Sequence, residues 1–320
     1  MIRFRVAIAA LAVALALPPV VRSQEPAPRA PASGSEPPIF RTESNLVVLH
    51  VNVFDGRSDA VAALSREAFH VVEDSRPQDI TFFAGTDVPV AVGLVIDNSS
   101  SMIPRHKMVL AGARRFIEGS HPEDELFTIV FNENVRLGLP PTVLFTQNRL
   151  LLETTFTRHP PGGMTAIHDA VVAGLEHLQE ATHQKRVLVV LSDGDDNASQ
   201  HAEADMLQRA LRSDALVYTV STGRLGANPG DRGLLRRLAE STGGVAYFPE
   251  TEAEIVAAFG TIAQNIRRGY SIGYVPASPV ADGRYRRVKV TVAAPGYRNL
   301  KVIARDGYFA PSASGPSIAR

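Results

Sequence analysis

From Ala91 to Ile96 the chain reads Ala, Val, Gly, Leu, Val, Ile with no polar residue, and then ends in Asp97. An unbroken apolar run of this length predicts a strand buried on both faces, as in a parallel sheet covered by helices on either side. Val187–Leu191 repeats the pattern and ends in Ser192 and Asp193. Elsewhere in the middle of the chain the period changes to three and four. Lys107–Glu118 carries Val109, Ala113, Phe116 and Ile117 at helical spacing. Ile167, Ala170, Val171, Gly174, Leu175 and Leu178 form a second amphipathic stripe, and Ile255, Phe259, Ile262 and Ile266 a third. Leu126–Phe131, Ala215–Val220 and Val245–Phe248 are further predicted strands, with Val135–Leu139 pairing beside the first of them. Met206–Leu211 and Leu234–Ala239 are further predicted helices. Strands and helices in alternation predict an α/β fold over residues 88–267, with a doubly wound, mainly parallel, Rossmann-like sheet.

Outside that span the period is two. Leu49, Val51 and Val53 alternate with His50 and Asn52, as in a half-buried strand. Short strands follow at Phe69–Glu73 and Asp79–Phe83, joined by Ser65-Arg66-Glu67 and Ser75-Arg76-Pro77. The same pattern returns at Tyr285–Val292 and Leu300–Arg305. Neither flank has enough strands to bury its own apolar face, so residues 40–87 and 268–310 are predicted to form one small β-sandwich with the α/β unit inserted between them. Ahead of it, Arg3 and Arg5 precede an apolar run from Val6 to Leu17, the pattern of a cleaved secretory signal over residues 1–23. That run is short for a bilayer span, and no cysteine follows it to carry a lipid. Residues 24–39 read as a Pro-rich linker and 311–320 as a tail. The expected destination is export, periplasmic or secreted, with no stable membrane span after signal cleavage.

Composition narrows the chemistry. Lys and Arg together number 33, as do Asp and Glu, and no basic run interleaves with aromatics, so nucleic acid is not an expected partner. Cysteine is absent, which excludes disulfides, thiolate zinc sites and cysteine nucleophiles. Any metal must then be held by oxygen or histidine. Asp97, Ser99 and Ser101 alternate in DxSxS at the end of the first buried strand, where open α/β sheets bind ligands. Gly162, Gly163, Met164 and Thr165 open a helix, and Asp193-Gly194-Asp195-Asp196 follows the second buried strand. Two carboxylates and three hydroxyls suit a small divalent ion, Mg2+ before Mn2+ or Ca2+.

Plainer readings stand beside this one. Asp and Ser commonly cap helices, and Thr165 is placed to cap the helix that carries Asp169. Asp193, Asp195 and Asn197 imitate an EF-hand loop, but Ala198 and Ala204 stand where Gly and Glu are required, so the loop acids read as solvated. Glycans on Asn98 or Asn197 would obstruct the site. His106, His121, His159, His168 and His177 show no paired metal spacing. An aspartyl-phosphate mechanism at Asp97 would need an acid where Ser99 stands, and no GxSxG, HExxH or GxxxxGK motif is present, so no enzyme is expected.

DxSxS, a distant GGxT and a strand-terminal SDG, in that order, resemble the metal-ion-dependent adhesion site of von Willebrand factor type A domains. The flanks, with NLVVLHVNVFDG and REAFHVVEDSRPQDITFF before and YSIGYVP, GRYRRVKVTV and RDGYFAP after, resemble the exported bacterial family called VWFA-related acidobacterial domain. The first resemblance implies that Ser99, Ser101 and Thr165 supply hydroxyl ligands while Asp97 and Asp193 bind the ion directly or through water. It implies protein ligands that donate an Asp or Glu carboxylate to the metal, sometimes with movement of the last helix, here ending near Ile266. The expectation is an exported, metal-dependent protein-binding module for adhesion or scaffolding, with rim loops at Gly162, Asp195 and Arg224 choosing among partners. The alternatives are a structural assembly subunit that binds through sandwich strand edges, and a metal-dependent hydrolase.

Overall fold

The computed structural model describes residues 46–312 apart from 58, 194–195, 222–228 and 278–279, with the backbone alone for 229–231. The expected signal segment, the linker, the start of the N-terminal flank, most of the tail, and the rim residues Asp195 and Arg224 lie outside the described residues. The N-terminal flank contributes β1 (Val47–Phe54), β2 (Phe69–Glu73), β3 (Arg76–Gln78) and β4 (Ile80–Ala84). The α/β unit then runs β5 (Ala91–Asp97), α1 (His106–Gly119), β6 (Glu125–Phe131), β7 (Val135–Leu137), α2 (Arg149–Thr157) and α3 (Ile167–His177). It continues with β8 (Arg186–Ser192), α4 (Glu203–Arg212), β9 (Leu216–Ser221), α5 (Pro229–Thr242), β10 (Ala246–Tyr247) and α6 (Glu252–Arg268). The C-terminal flank closes with β11 (Tyr270–Tyr274), β12 (Tyr285–Val292), β13 (Lys301–Ile303) and β14 (Gly307–Phe309).

The α/β unit is built on one sheet in the order β10-β9-β8-β5-β6-β7, parallel except for β7. Strand β5 lies inside it, buried at every residue, because its apolar side chains meet helices on both faces. From β5 the chain crosses through α1 to β6, and from β8 it crosses through α4 to β9 in the opposite direction. Right-handed crossovers therefore send the loops after β5 and β8 to opposite faces of the sheet. The carboxyl ends of these two neighbouring strands are left bordering a crevice.

The flanks form two four-stranded sheets, β13-β1-β11-β4 and β14-β12-β2-β3, each mixing strands from both ends of the chain. Their inner faces share one core that includes Leu49, Val51, Phe69, Tyr270, Ile272 and Val288. The half-buried reading of β1 needs correction. His50 and Asn52 are buried too, 6% and 2% exposed, because their face of the sheet lies against the amino end of the α/β unit. Asn52 donates Nδ2 to the Tyr218 hydroxyl at 2.9 Å, and His50 Nδ1 lies 2.9 Å from Ser271 Oγ. Two buried cations complete this junction at helix ends whose carbonyls have no partner within the helix. Lys185 Nζ donates to Ile266 O at the end of α6 at 2.5 Å, and Arg305 Nη2 donates to Leu211 O and Ser213 O at the end of α4.

The segment Ser75-Arg76-Pro77, expected as a joint, is a hairpin whose turn has Asp74 and Ser75 at positive φ and whose return strand is β3. Helix α2 and strands β11 and β14 are additions to the predicted set. Among the described residues no helix is long and apolar enough to cross a membrane.

Candidate functional site

Asp97 closes β5 and is 1% exposed. Its Oδ1 accepts from the Ser99 backbone N–H at 2.9 Å, the local turn that Asp favours after a strand, and its Oδ2 accepts from Ser192 Oγ at 2.6 Å across the sheet. Burial pushes the Asp97 carboxyl up to about 6; hydrogen bonds from Ser192 and Ser99 oppose that rise, and the neighbouring Asp193 carboxylate adds to it. Ser99 is buried, Ser101 is exposed, and their hydroxyl oxygens are 3.0 Å apart. The capping alternative is not realised here. Ser99 makes no side-chain cap, and the turn of 3-10 helix at Ser100–Arg105 separates the motif from α1.

The second loop is stitched to the first through backbone. Gly162 N donates to Asn98 O at 2.8 Å and Ser100 N donates to Gly163 O at 3.1 Å. Asn98 is 3% exposed, and its Nδ2 serves the carbonyls of His159 and Pro160, so it is no glycan acceptor. Gly163 has φ +85°, and a Cβ there would run into the Glu133 carboxylate, which accepts from Met164 N. The loop thus delivers Thr165, 3% exposed, at the mouth of α3. In the third loop Asp193 follows β8, and its Oδ1 is buried with no hydrogen-bond partner among the described residues.

The five predicted residues therefore lie at the carboxyl end of β5, in the loops that follow β5 and β8, and just ahead of α3. Hydrogen bonds join Asp97, Ser99 and Ser101, charge couples Asp193 to Asp97, and Thr165 is tied in through backbone. Residues 92–195, which contain all five, match the family described as von Willebrand factor type A domain. This segment is a von Willebrand factor type A domain. Among solved structures, the chain is similar to a von Willebrand factor type A protein from Catenulispora acidiphila at 15% identity, covering 86% of this chain and 76% of that one, with a TM-score of 0.49. The vWF domain of the type V pili tip protein Mfa5 from Porphyromonas gingivalis is 16% identical over 57% of this chain and 96% of that one, with a TM-score of 0.49. An aerotolerance-related membrane protein from Bacteroides fragilis, carrying multiple mutations to serine, is 16% identical over 55% of this chain and 98% of that one, with a TM-score of 0.45. None of the curated proteins matches the sequence.

The type A domain's donor set is all oxygen, which fits a hard cation, and the unpartnered Asp193 Oδ1 is the kind of buried atom that a cation would satisfy. No group of three or more His, Asp or Glu side chains among the described residues is placed to hold a metal, so a cation at this place would have to draw on the hydroxyls as well.

The sequence reading missed the scaffold around these donors. Thr165 is not the N-cap of α3. That position is Ala166, without a side-chain cap, and the helix's first N–H groups are taken by the neighbouring loop. Asp196 Oδ2 accepts from His168 N at 3.2 Å, Ser199 Oγ accepts from Asp169 N at 3.2 Å, and Asn197 Oδ1 accepts from Thr165 N at 2.8 Å. Asp196 and Ser199 thus cap α3 from a neighbouring loop, while Asn197 fixes the backbone just ahead of it. Asp169 in turn accepts from Gln200 N and His201 N and from the His201 ring. Asp196→Ala is expected to lower the unfolding free energy by about 1–2 kcal/mol, the cost of a lost cap and of N–H groups left unpaired. An unchanged urea midpoint would show that the loop does not cap α3.

Proposed function

We propose that this protein is a divalent-cation-dependent protein-binding module, exported to the periplasm or secreted. Asp97, Ser99, Ser101, Thr165 and Asp193 hold a Mg2+-like ion, and a partner protein completes its shell with an Asp or Glu carboxylate. The carrying observation is the buried, unpartnered Asp193 Oδ1 beside the buried Asp97. Two acids crowded together without a counterion destabilise each other, and a cation between them removes that conflict. With three of the five donors neutral hydroxyls, the shell leaves room for an incoming carboxylate. Membership of the type A family supports the same reading, since its adhesion site uses this motif order. Ile103 and Met164, 55% and 54% exposed on the loops that carry the serines and the threonine, give the rim apolar contact surface for a partner.

Calorimetric titration of the protein with Mg2+, Mn2+ and Ca2+ tests the reading. Saturable binding is expected in the wild type, with affinity reduced at least a hundredfold in Asp97→Ala and in Thr165→Ala while both keep the wild-type circular dichroism. Saturable binding that survives in Asp97→Ala would refute the site. Absence of binding in the wild type would refute the cation dependence.

A further inference from the structure

At the amino end of the sheet, where α4 ends and the sandwich begins, the chain lines a cavity of about 340 Å3. Three arginines reach it from separate elements: Arg212 in the last turn of α4, Arg286 on β12, and Arg305 between β13 and β14. Their charges are poorly matched. Asp282 takes one end of the Arg286 fork at 2.9 Å. Arg305, 8% exposed, spends its Nη2 on the carbonyls that end α4, and its Nε has no hydrogen-bond partner among the described residues. The Arg212 guanidinium lies 4.6 Å from the centre of the Phe309 ring. The acid among the described lining residues is Asp214, whose side chain is 68% exposed and 3.8 Å from Arg186. Val280, Tyr308 and Phe309 are among the other lining residues. Capping of α4 accounts for Arg305, but it does not explain why three arginines gather around one partly apolar cavity.

We propose that this cavity binds a small organic carboxylate carried on a flat apolar body. A guanidinium fork matches a carboxylate in plane and in charge, and Tyr308 and Phe309 in the lining favour a flat apolar body attached to it. The volume falls in the range of about 300–1,000 Å3 typical of small-molecule sites. A bare phosphate would satisfy the arginines but leave Val280 and Phe309 against water. The cavity and the cation crevice lie at opposite ends of the same sheet, so neither assignment depends on the other.

The test is titration of the full chain in EDTA with benzoate, indole-3-acetate, their neutral amides and inorganic phosphate. The expected result is saturable binding of the two acids, at least tenfold tighter than of the amides or phosphate. Arg212→Gln should weaken it at least tenfold with an unchanged thermal midpoint. Equal affinity for acid and amide, phosphate binding as tight as indole-3-acetate, no saturable binding of either acid, or full affinity in Arg212→Gln would each overturn the proposal.

Discussion

Gly243→Ala lowers the unfolding free energy by about 3 kcal/mol, whereas Gly296→Ala costs only about 1 kcal/mol. Both glycines have φ +85°, so an alanine at either pays the same left-handed backbone strain. They differ in what surrounds them. At Gly296 a Cβ would meet nothing within 4 Å, but at Gly243 it would lie 2.5 Å from the backbone N of Arg305 and 2.9 Å from the carbonyl carbon of Ala304. Gly243 ends α5 by turning left-handed, with its N–H on Glu240 O and that of Gly244 on Ala239 O, and the same missing side chain lets the sandwich backbone seat against the type A domain. Backbone cannot rotate away as a side chain can. Urea unfolding of the two variants separates strain from contact, and equal losses would mean that the junction is loosely packed at α5.

The second large effect is a loss of stability in acid that depends on His50. Burial holds its imidazole near pKa 3, and the positive charges of Lys185 and Arg305 push in the same direction. The unfolded chain takes up the proton near 6.5, so folding excludes it. The unfolded state binds more protons between about 3 and 6.5, and stability is complete above 6.5 and falls as pH drops through that window. From pH 6.5 to 5 the loss attributable to this group is about 2 kcal/mol, at about 1.36 kcal/mol per pH unit. Asp97, with its raised pKa, contributes with the opposite sign, so the comparison that matters is with His50→Gln, which keeps a polar group near Ser271 but does not titrate. Wild type and variant should differ in the change of unfolding free energy between pH 7 and pH 5 by roughly that amount. Parallel pH profiles would show that His50 takes up its proton in the folded state.

Both predictions rest on the junction between sandwich and type A domain, the part of the molecule least legible in the sequence. The alternation in Leu49–Val53 identified β1 and its inner face, but a polar outer face of His50 and Asn52 reads as solvent-facing until a second layer is known to cover it. The apolar runs at Ala91–Ile96 and Val187–Leu191 were unambiguous because burial on both faces leaves no polar position. Helix α2 was hidden because three successive leucines show no period, although Asn148, which caps it by accepting from Leu151 N, was a readable signal. Strand β11 was obscured by its position directly behind a helix. At the candidate site the five oxygen donors follow from motif order, whereas Ser192, Asp196 and Asn197 act across loops brought together only by the fold.

One residue, Gly269, separates α6 from β11, and β11 is hydrogen-bonded on both sides, to β1 and to β4. A helix ratchets along its axis in turns of about 5.4 Å, while a strand recovers its facing only after two residues, about 6.8 Å. The two step lengths do not coincide, so α6 has no free end to slide. Any axial displacement of α6 would therefore be passed directly to β11 and the two strands paired with it.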